Sequence, residues 1–417
     1  MKAGHTARGN MMIDRRTFAT VLAGLPLLRA GAARAQGLNG PIRLAVMNDQ
    51  TSVYAASGGA GAAAAVRLAI EDFGGKVAGQ QIELRVYDHQ NKADIGTSLA
   101  AQAYDEAGVD AIFDIGNSAI SLAVQEIARK RGKILIHVGS AHDALYGKAC
   151  APISAQWTYD TYSLAHGLTE AVYSQGGTSW FFITADYAFG TAMQGEATKV
   201  LEALGGKVVG SVRHPVGASD FSAYLLQAAA SGATTIALAN AAGDTVNAAK
   251  QAFEFGIGKG KQKLATLIFY LTSVHELGAE AIQGLEYLTA FYWDRDDASR
   301  RLGKRFAALR SGAMPTQTQA GNYSAARHYL KAVEATRSRD GLTVMRQMKE
   351  MPVDDYYARN ATLRSDGRLM QDYLLAEVKK PSEVKQGWDL LHIRKVIPAD
   401  KVIRPLAAGG CTMLDKA

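Results

Sequence analysis

Two short polar loops carry the residues of this chain that could hold or transform a small molecule. Gly116-Asn117-Ser118 and Gly139-Ser140-Ala141 each follow an apolar run, Val109–Ile115 and Ile134–Val138 respectively. The loops offer hydroxyl, amide and backbone donors, which favour a negatively charged group. Neither loop has a nucleophile with a base beside it. The loops therefore predict a site that binds a ligand without changing it chemically.

The sequence lacks the usual motifs of catalytic and cofactor sites. It has no Cys-x-x-Cys, no His-Glu-x-x-His and no glycine-rich nucleotide loop after an apolar run. His137, His142 and His275 have no serine or aspartate at a spacing that indicates catalysis. We expect no metal, no cofactor and no enzymatic activity.

Alternating strand and helix patterns must position the two polar loops. Between Val109 and Val138 an apolar run, a loop, apolar residues at helical spacing and a second apolar run follow one another. Such a unit pairs two strands in parallel and brings their carboxyl ends to the same edge of a sheet. Parallel sheets bind ligands at that edge, so both loops are expected to face one ligand.

The same alternation occurs again later in the chain, which predicts an α/β fold of two doubly wound parallel-sheet lobes. The predicted strands are 42–47, 82–87, 109–115, 134–138, 180–184, 207–214, 235–239, 267–271 and 288–292. Predicted helices at 298–309, 323–336 and 342–351 return to the first lobe. A hairpin-like end formed by 360–367 and 373–378 around Asp366-Gly367 returns to the second. The chain then crosses between the lobes three times, and such a hinge lets them close over a ligand.

These crossings give the expected domain boundaries. The N-terminal lobe comprises residues 40–158 and 294–365, and the C-terminal lobe comprises 159–293 and 366–395. Residues 396–417 form a C-terminal tail.

The basic excess of the chain lies mostly at its amino end. Residues 1–35 contain six lysines and arginines against one aspartate, a net charge of +5 out of +7 for all 417 residues. Arg15-Arg16, the apolar stretch Phe18–Leu28 and Ala33-Arg34-Ala35 are typical of a twin-arginine export signal cut after Ala35. The stretch is shorter than the about 20 residues that span a bilayer. We expect an exported, periplasmic monomer that does not bind nucleic acid.

Cys150 and Cys411 are the only two cysteines of the sequence. In an oxidising compartment an even count favours one disulfide that ties the tail to the body. Two buried free thiols are the alternative.

The order of these features resembles the periplasmic solute-binding proteins of branched-chain amino-acid type ABC importers. The resemblance covers about residues 40 to 395 and rests on DAIFDIGNSAISLAVQEIARKRGKILIHVGSA, FFITADYAFG and RSDGRLMQDY. It implies a type I, leucine-binding-like fold with the ligand between the lobes, and an ABC permease and ATPase at the inner membrane as partners. The segments CAPISAQWTYDTY, WFFITADYAFG, VRHP and KKPSE are similar to a branch associated with import of aromatic carboxylates.

The ligand positions of that family match this sequence one at a time. The serine that holds the ligand carboxylate falls on Ser118, and the small-residue loop after the next strand falls on Gly139-Ser140-Ala141. The aromatic residues of the first loop in each lobe match Tyr54 and Phe189. The predicted ligand-binding set is completed by Asn117, Tyr187, Asn240 and Thr272.

The resemblance also bears on the class of ligand. The carboxylate that pairs with the amino group of an amino acid falls near Thr272, where this chain has no acidic residue. Burying the ammonium group of an amino acid without a counter-charge would cost binding free energy. An aromatic acid without an amine does not have this cost. We therefore predict an aromatic carboxylate. If Asp186 or Asp244 supplies the missing charge, the ligand is an amino acid or amide, and a sensory receptor of the same fold is a further alternative.

Overall fold

The computed structural model describes residues 38–413, so the predicted export signal lies outside the described residues. Within that range no helix is both long enough and apolar enough to cross a membrane.

The first lobe is built on a six-stranded sheet. Its strands are β1 (Ile42–Asn48), β2 (Lys76–Val77), β3 (Gln80–Asp88), β4 (Ala111–Asp114), β5 (Ile134–His137) and β6 (Ser154–Gln156), in the order β2-β3-β1-β4-β5-β6. β1 pairs in parallel with β3 and β4, and β5 pairs in parallel with β4 and β6. The central strands are buried and apolar because helices cover both faces of such a sheet. The first three helices are α1 (Gly59–Asp72), α2 (Ala93–Asp105) and α3 (Ser118–Arg131).

Local sequence signals set the ends of α3. The side chain of Asn117 accepts hydrogen bonds from the amides of Ala119 and Ile120 at 2.8 and 3.1 Å, which satisfies donors that have no partner within the helix. At the other end Gly132 adopts φ 62°, a left-handed conformation that suits glycine. The predicted strand, loop, helix, strand unit is therefore present.

The second lobe has its own four-stranded parallel sheet. Its strands are β7 (Ser179–Ala185), β8 (Lys207–His214), β9 (Thr235–Ala239) and β10 (Lys263–Thr266), in the order β10-β9-β7-β8. Its helices are α4 (Thr161–Ser174), α5 (Ala188–Ala203), α6 (Ser222–Ala230), α7 (Gly243–Glu254), α8 (Leu271–Leu277) and α9 (Ala279–Ile282). The two sheets, parallel except for the short antiparallel edge strand β2, give the predicted two-lobed α/β fold.

The last third of the chain adds to both lobes. It comprises β11 (Glu286–Thr289), α10 (Asp297–Leu309), α11 (Gln317–Thr336), α12 (Gly341–Glu350), β12 (Thr362–Leu363), β13 (Leu369–Met370), β14 (Tyr373–Val378), β15 (Leu391–Ile397) and α13 (Ala399–Val402). Helix α11 packs on α1 and β4, whereas β11 packs on α4 and β10. β14 pairs antiparallel with β11 and β15. Residues 157–160, 290–296 and 371–372 therefore connect elements of different lobes.

Several predicted elements were wrong in detail. The strand expected at 267–271 is β10 at Lys263–Thr266, and Leu271 instead begins α8. The apolar run there is longer than the strand that pairs with β9. The position of the strand within the run therefore could not be read from apolar residues alone. The strand expected at 288–292 ends at Thr289. The hairpin around Asp366-Gly367 joins β12 to β13, whereas 373–378 pairs elsewhere.

The C-terminal segment returns to the first lobe. The sulfurs of Cys150 and Cys411 are bonded, with a Cα–Cα distance of 5.6 Å. The guanidinium of Arg404 pairs with the Asp143 carboxylate and lies 4.7 Å from the Tyr146 ring centroid. Burial opposes ionisation of Asp143, but bonding to His142 and the charge of Arg404 prevail and lower its pKa to about 2. The tail is thus held by covalent and ionic contacts.

Candidate functional site

The loop after β1 presents Tyr54 to the space between the lobes. Its shape depends on Asp49, whose carboxylate accepts hydrogen bonds from the amides of Ser52 and Tyr54 at 2.8 and 2.9 Å. The Ser52 hydroxyl donates to the same carboxylate at 2.6 Å. Asp49 therefore stabilises the conformation of this loop, and that conformation places Tyr54 at the space between the lobes.

The two lobes touch at Tyr54. Its hydroxyl lies 2.5 Å from the hydroxyl of Tyr187, which caps α5 in the second lobe. One residue earlier, the carbonyl of Val53 accepts a hydrogen bond from the Gly243 amide at 3.2 Å, at the start of α7. The inter-lobe cleft is therefore closed in this structure.

The floor of the cleft is a second group of hydroxyls. Tyr159, in the first stretch that crosses between lobes, donates to the Gly139 carbonyl at 3.0 Å. Its hydroxyl also lies 3.0 Å from that of Tyr270 and 3.1 Å from Thr318 Oγ1. Burial raises the pKa of Tyr159 well above its ordinary value, so this phenol stays neutral. Three hydroxyl groups from separate parts of the chain meet here.

A buried carboxyl group completes the cleft. Asp114 ends β4 and is 0% exposed. Its Oδ2 accepts a hydrogen bond from Asn48 Nδ2 at 2.7 Å, whereas its Oδ1 accepts no hydrogen bond of normal geometry. Burial raises the pKa of Asp114 to about 6, against the smaller lowering effects of donors from Asn48, Asn322 and the Gly139 backbone.

Little space is left between these groups. The cavity that Tyr54, Asp114, Gly139, Tyr270 and Thr318 help to line has a volume of about 10 Å³, no more than one water molecule needs. None of the described residues that line it is Lys, Arg or His. A larger, solvent-open cavity of about 720 Å³ lies beside α4, α5 and the C-terminal tail. None of the predicted ligand residues lines that cavity.

The structure separates the predicted ligand residues into two groups. Tyr54 and Gly139 line the cleft cavity, and Tyr187 closes it from the second lobe. Ser118 is buried in the first turn of α3. Ser140 is also buried, and its hydroxyl donates to the Ile115 carbonyl at 2.6 Å. Both serines lie outside the cavity lining, and Ser140 stabilises the loop after β4 through its bond to Ile115.

The remaining predicted residues also lie outside the cavity lining. Asn117 caps α3, and the Ala141 carbonyl accepts a hydrogen bond from the Thr161 amide at 2.6 Å. Phe189 is 2% exposed and packs in the core beside Tyr187, with ring centroids 5.8 Å apart. Asn240 is buried and accepts from Thr245 Oγ1 at 2.9 Å. Thr272 lies in the first turn of α8.

The two aspartates suggested as a source of negative charge already have partners. Asp186 is exposed and pairs with Arg213 at 3.1 Å. Both oxygens of Asp244 accept from the Gly217 amide, at 3.0 and 3.2 Å. The carboxyl group with an unpartnered oxygen in the cleft is instead Asp114, which sequence reasoning missed together with Tyr159, Tyr270 and Thr318. The signal for Asp114 was present, since it is an acidic residue near the end of the mostly apolar run Val109–Ile115, two positions before the polar loop.

The site contains hydrogen-bonding groups without a catalytic set. Within residues 38–413, no group of three or more His, Cys, Asp or Glu side chains could hold a metal ion. Tyrosine hydroxyls, amides and one carboxyl group can recognise a molecule between two lobes. This geometry is that of a binding site.

Comparisons with known proteins agree with this geometry. The model of the periplasmic binding protein family matches residues 41–385. A periplasmic binding protein from Burkholderia mallei is 44% identical, with 89% of this chain and 98% of that chain covered and a TM-score of 0.86. A branched chain amino acid ABC transporter periplasmic ligand-binding protein from Burkholderia xenovorans LB400 is 41% identical, with 89% and 99% covered and a TM-score of 0.80. The comparison with curated proteins returned no significant match.

A third solved structure shares the fold at lower identity. It is an ABC transporter solute binding protein from R. palustris in complex with benzoate, 17% identical, with 89% and 99% covered and a TM-score of 0.79. At this identity the likeness shows the fold alone.

The chain belongs to the periplasmic binding protein family. It has the type I two-lobed fold and is a substrate-binding component of the branched-chain amino-acid type of ABC transporter, which confirms the predicted family and fold. Such proteins bind small molecules for a permease and an ATPase, and they are not enzymes.

Proposed function

We propose that this protein is exported as a monomer through a twin-arginine signal and delivers an aromatic carboxylate, held between its lobes, to an inner-membrane permease and ATPase. Four tyrosines in the cleft support an aromatic ligand. Tyr54 and Tyr187 meet at its mouth, and Tyr159 and Tyr270 meet at its floor. Aromatic rings bind other rings through stacked or edge-to-face contacts.

The cleft also has groups suited to a carboxylate. Helix α1 begins at the cavity with Gly58 and Gly59, and no side chain caps its first amides. Unpaired amides at a helix N-terminus favour an anion, and the helix dipole adds to that preference. A carboxylate bound there needs no lysine or arginine.

Ligand entry requires the lobes to separate. The closed cleft has room for about one water molecule, far less than a benzoate-sized ligand occupies. Opening breaks the Tyr54–Tyr187 contact and the hydrogen bond from Gly243 to Val53. Rotation about the three connecting stretches is the motion that such a hinge allows.

A second candidate ligand is an amino acid or amide, and one observation favours it. Asp114 supplies a carboxyl group in the cleft, although not at the position near Thr272 where the sequence comparison placed it. An ammonium or amide N–H would be a suitable partner for its unpaired oxygen.

Thermal-shift and calorimetric titrations test the proposal. The protein is freed of copurified ligand by unfolding and refolding, then titrated with benzoate-type acids, aliphatic dicarboxylates, leucine and valine. Ligand at 100 times Kd stabilises the folded state by about 2.7 kcal/mol. We expect aromatic acids to give this stabilisation. Stabilisation by leucine or valine alone would replace it with the second candidate.

A further inference from the structure

The backbone at the end of β4 is strained in a way that directs one side chain. Asp114 has φ 84° and Ile115 has φ 51°, both in the left-handed region. Residues other than glycine avoid that region, and a β-branched residue such as isoleucine does so most strongly. Strain of this kind persists where surrounding structure fixes it, and it clusters at binding sites. Here it ends the strand with the Asp114 carboxyl group at the cavity.

Two glycines leave room for that carboxyl group. A Cβ atom at Gly139 would lie 2.5 Å from Asp114 Oδ1, and a Cβ at Gly58 would lie 3.0 Å from Oδ2. A side chain at position 139 would therefore collide with the oxygen that has no hydrogen-bond partner. The absence of side chains on both sides keeps the carboxyl group at the wall of the cavity.

The two carboxylate oxygens of Asp114 differ in their hydrogen bonding. Oδ2 accepts from Asn48 Nδ2, which is itself fixed by donating to the Gly59 carbonyl at 3.1 Å. Oδ1 is buried and accepts no hydrogen bond of normal geometry, although the Gly139 amide and the Asn322 side chain lie close enough to lower the pKa of the carboxyl group. A buried acceptor without a donor is unfavourable, so such a group in a ligand cleft indicates where a ligand donor is received.

Resting on the proposed function, we propose that Asp114 Oδ1 accepts a hydrogen bond from an N–H or O–H group of the ligand. The ligand is then an acid that carries a second, donor-bearing group, such as a hydroxyl or amine, in addition to its carboxylate. Asp114 is the residue that selects such acids against plain benzoate.

The test compares matched ligands on the refolded protein. Benzoate, 4-hydroxybenzoate, 2-aminobenzoate and leucine are titrated into wild type and the Asp114→Asn variant by calorimetry at pH 7.5. In the variant, the side-chain oxygen takes the Asn48 donor and the new amide N–H₂ faces the ligand donor. We expect wild type to bind at least one substituted acid roughly tenfold or more tightly than benzoate, and the variant to lose that preference.

Asp110→Asn is the matched control. Asp110 is a buried aspartate just before β4, at the opposite end of the strand, and it accepts from the Arg43 amide at 2.9 Å. This variant also removes a buried carboxylate, but it should keep the wild-type preference. Circular dichroism verifies that both variants are folded.

The outcomes separate the inference from the proposed function. The role of Asp114 is overturned if wild type binds benzoate and the substituted acids equally well, or if the preference for substituted acids persists in Asp114→Asn. In both cases an aromatic acid remains the proposed ligand. If leucine binds and no aromatic acid does, the proposed ligand class fails. In that case loss of leucine affinity in Asp114→Asn supports Asp114 as the acceptor, and unchanged affinity overturns that role.

Discussion

Arg368 and Asp160 form a fully buried ion pair, with Arg368 Nε 2.8 Å from Asp160 Oδ2 and both side chains 0% exposed. Asp160 lies in the first connecting stretch and caps α4, and Arg368 lies just before β13. Arg368 Nη2 also donates to the Tyr373 hydroxyl at 2.6 Å, and that hydroxyl donates to the Thr158 carbonyl at 3.0 Å. One buried guanidinium thus joins the first connecting stretch to Arg368 and Tyr373, the residues on either side of β13 and the third stretch.

We expect Arg368→Met to destabilise the protein strongly. The substitution leaves the Asp160 carboxylate buried without its cation, and removing one partner of a buried pair costs roughly 3–5 kcal/mol. Urea unfolding measures the loss. Arg394→Met is the control, because its pair with Glu377 is on the surface and screened by water, so its effect should be much smaller. Equal effects of the two variants would contradict a structural role for the buried pair.

Tyr54→Phe should weaken ligand binding without unfolding the protein. The variant keeps the ring but loses the hydroxyl contact with Tyr187 that forms when the lobes close. One neutral hydrogen bond contributes about 0.5–1.5 kcal/mol, which corresponds to roughly a 2- to 13-fold loss of affinity. Calorimetry measures it with the acid that stabilises the wild-type protein most in the thermal-shift titrations. Tyr173→Phe in α4, outside the cleft, should bind as wild type does, and an unchanged Tyr54→Phe affinity would show that closure does not depend on this contact.

The stability of the ligand-free protein should depend on pH through Asp114. Its pKa is raised to about 6 in the folded state, mainly by burial, against a usual value of 3.8. The folded state therefore retains a proton that the unfolded state has lost. The resulting stabilisation is full below about pH 4 and is lost as the pH rises through about 6, a change of roughly 3 kcal/mol.

Comparison with Asp114→Asn isolates this effect. The variant should be more stable than wild type at pH 7, and the difference should disappear near pH 4 in urea unfolding. Asp49, His137, Tyr159 and Tyr270, which are titratable groups near Asp114, are present in both proteins. Burial lowers the pKa of His137 to about 3 and raises that of both tyrosines, so none of these three changes charge between pH 4 and 7. If the difference in stability between wild type and Asp114→Asn is the same at pH 4 and pH 7, the carboxyl group of Asp114 does not have a raised pKa in the folded state.

The Cys150–Cys411 bond should contribute to stability. It joins residues 261 positions apart, and loss of a native disulfide typically costs about 2–5 kcal/mol. We expect the double variant Cys150→Ser, Cys411→Ser to unfold at lower denaturant concentration than wild type. A reducing agent should lower the stability of wild type to that of the variant and leave the variant unaffected. No response of wild type to the reducing agent would indicate two free thiols.

The amino-acid sequence by itself determined the fold class and the family. The period of apolar residues marks strands and helices locally, and polar loops after buried strands mark the ligand-binding edge of each sheet. Tyr54 and Gly139 belong to such loops, and both line the cleft. Strands β2, β6 and β15 were not predicted, because short, polar or edge strands lack a strong apolar pattern.

Only the tertiary structure decided which polar residues line the cleft cavity. Ser118 and Ser140 lie in the right loops, but helix packing and the Ile115 carbonyl keep them outside the cavity. Asp114, Tyr159 and Thr318 are far apart in sequence and meet at the cleft because parallel strands, a connecting stretch and α11 converge there. Sequence periodicity reports which face of an element is buried, whereas the direction of a single side chain at a strand end depends on backbone strain and on neighbours from elsewhere in the chain.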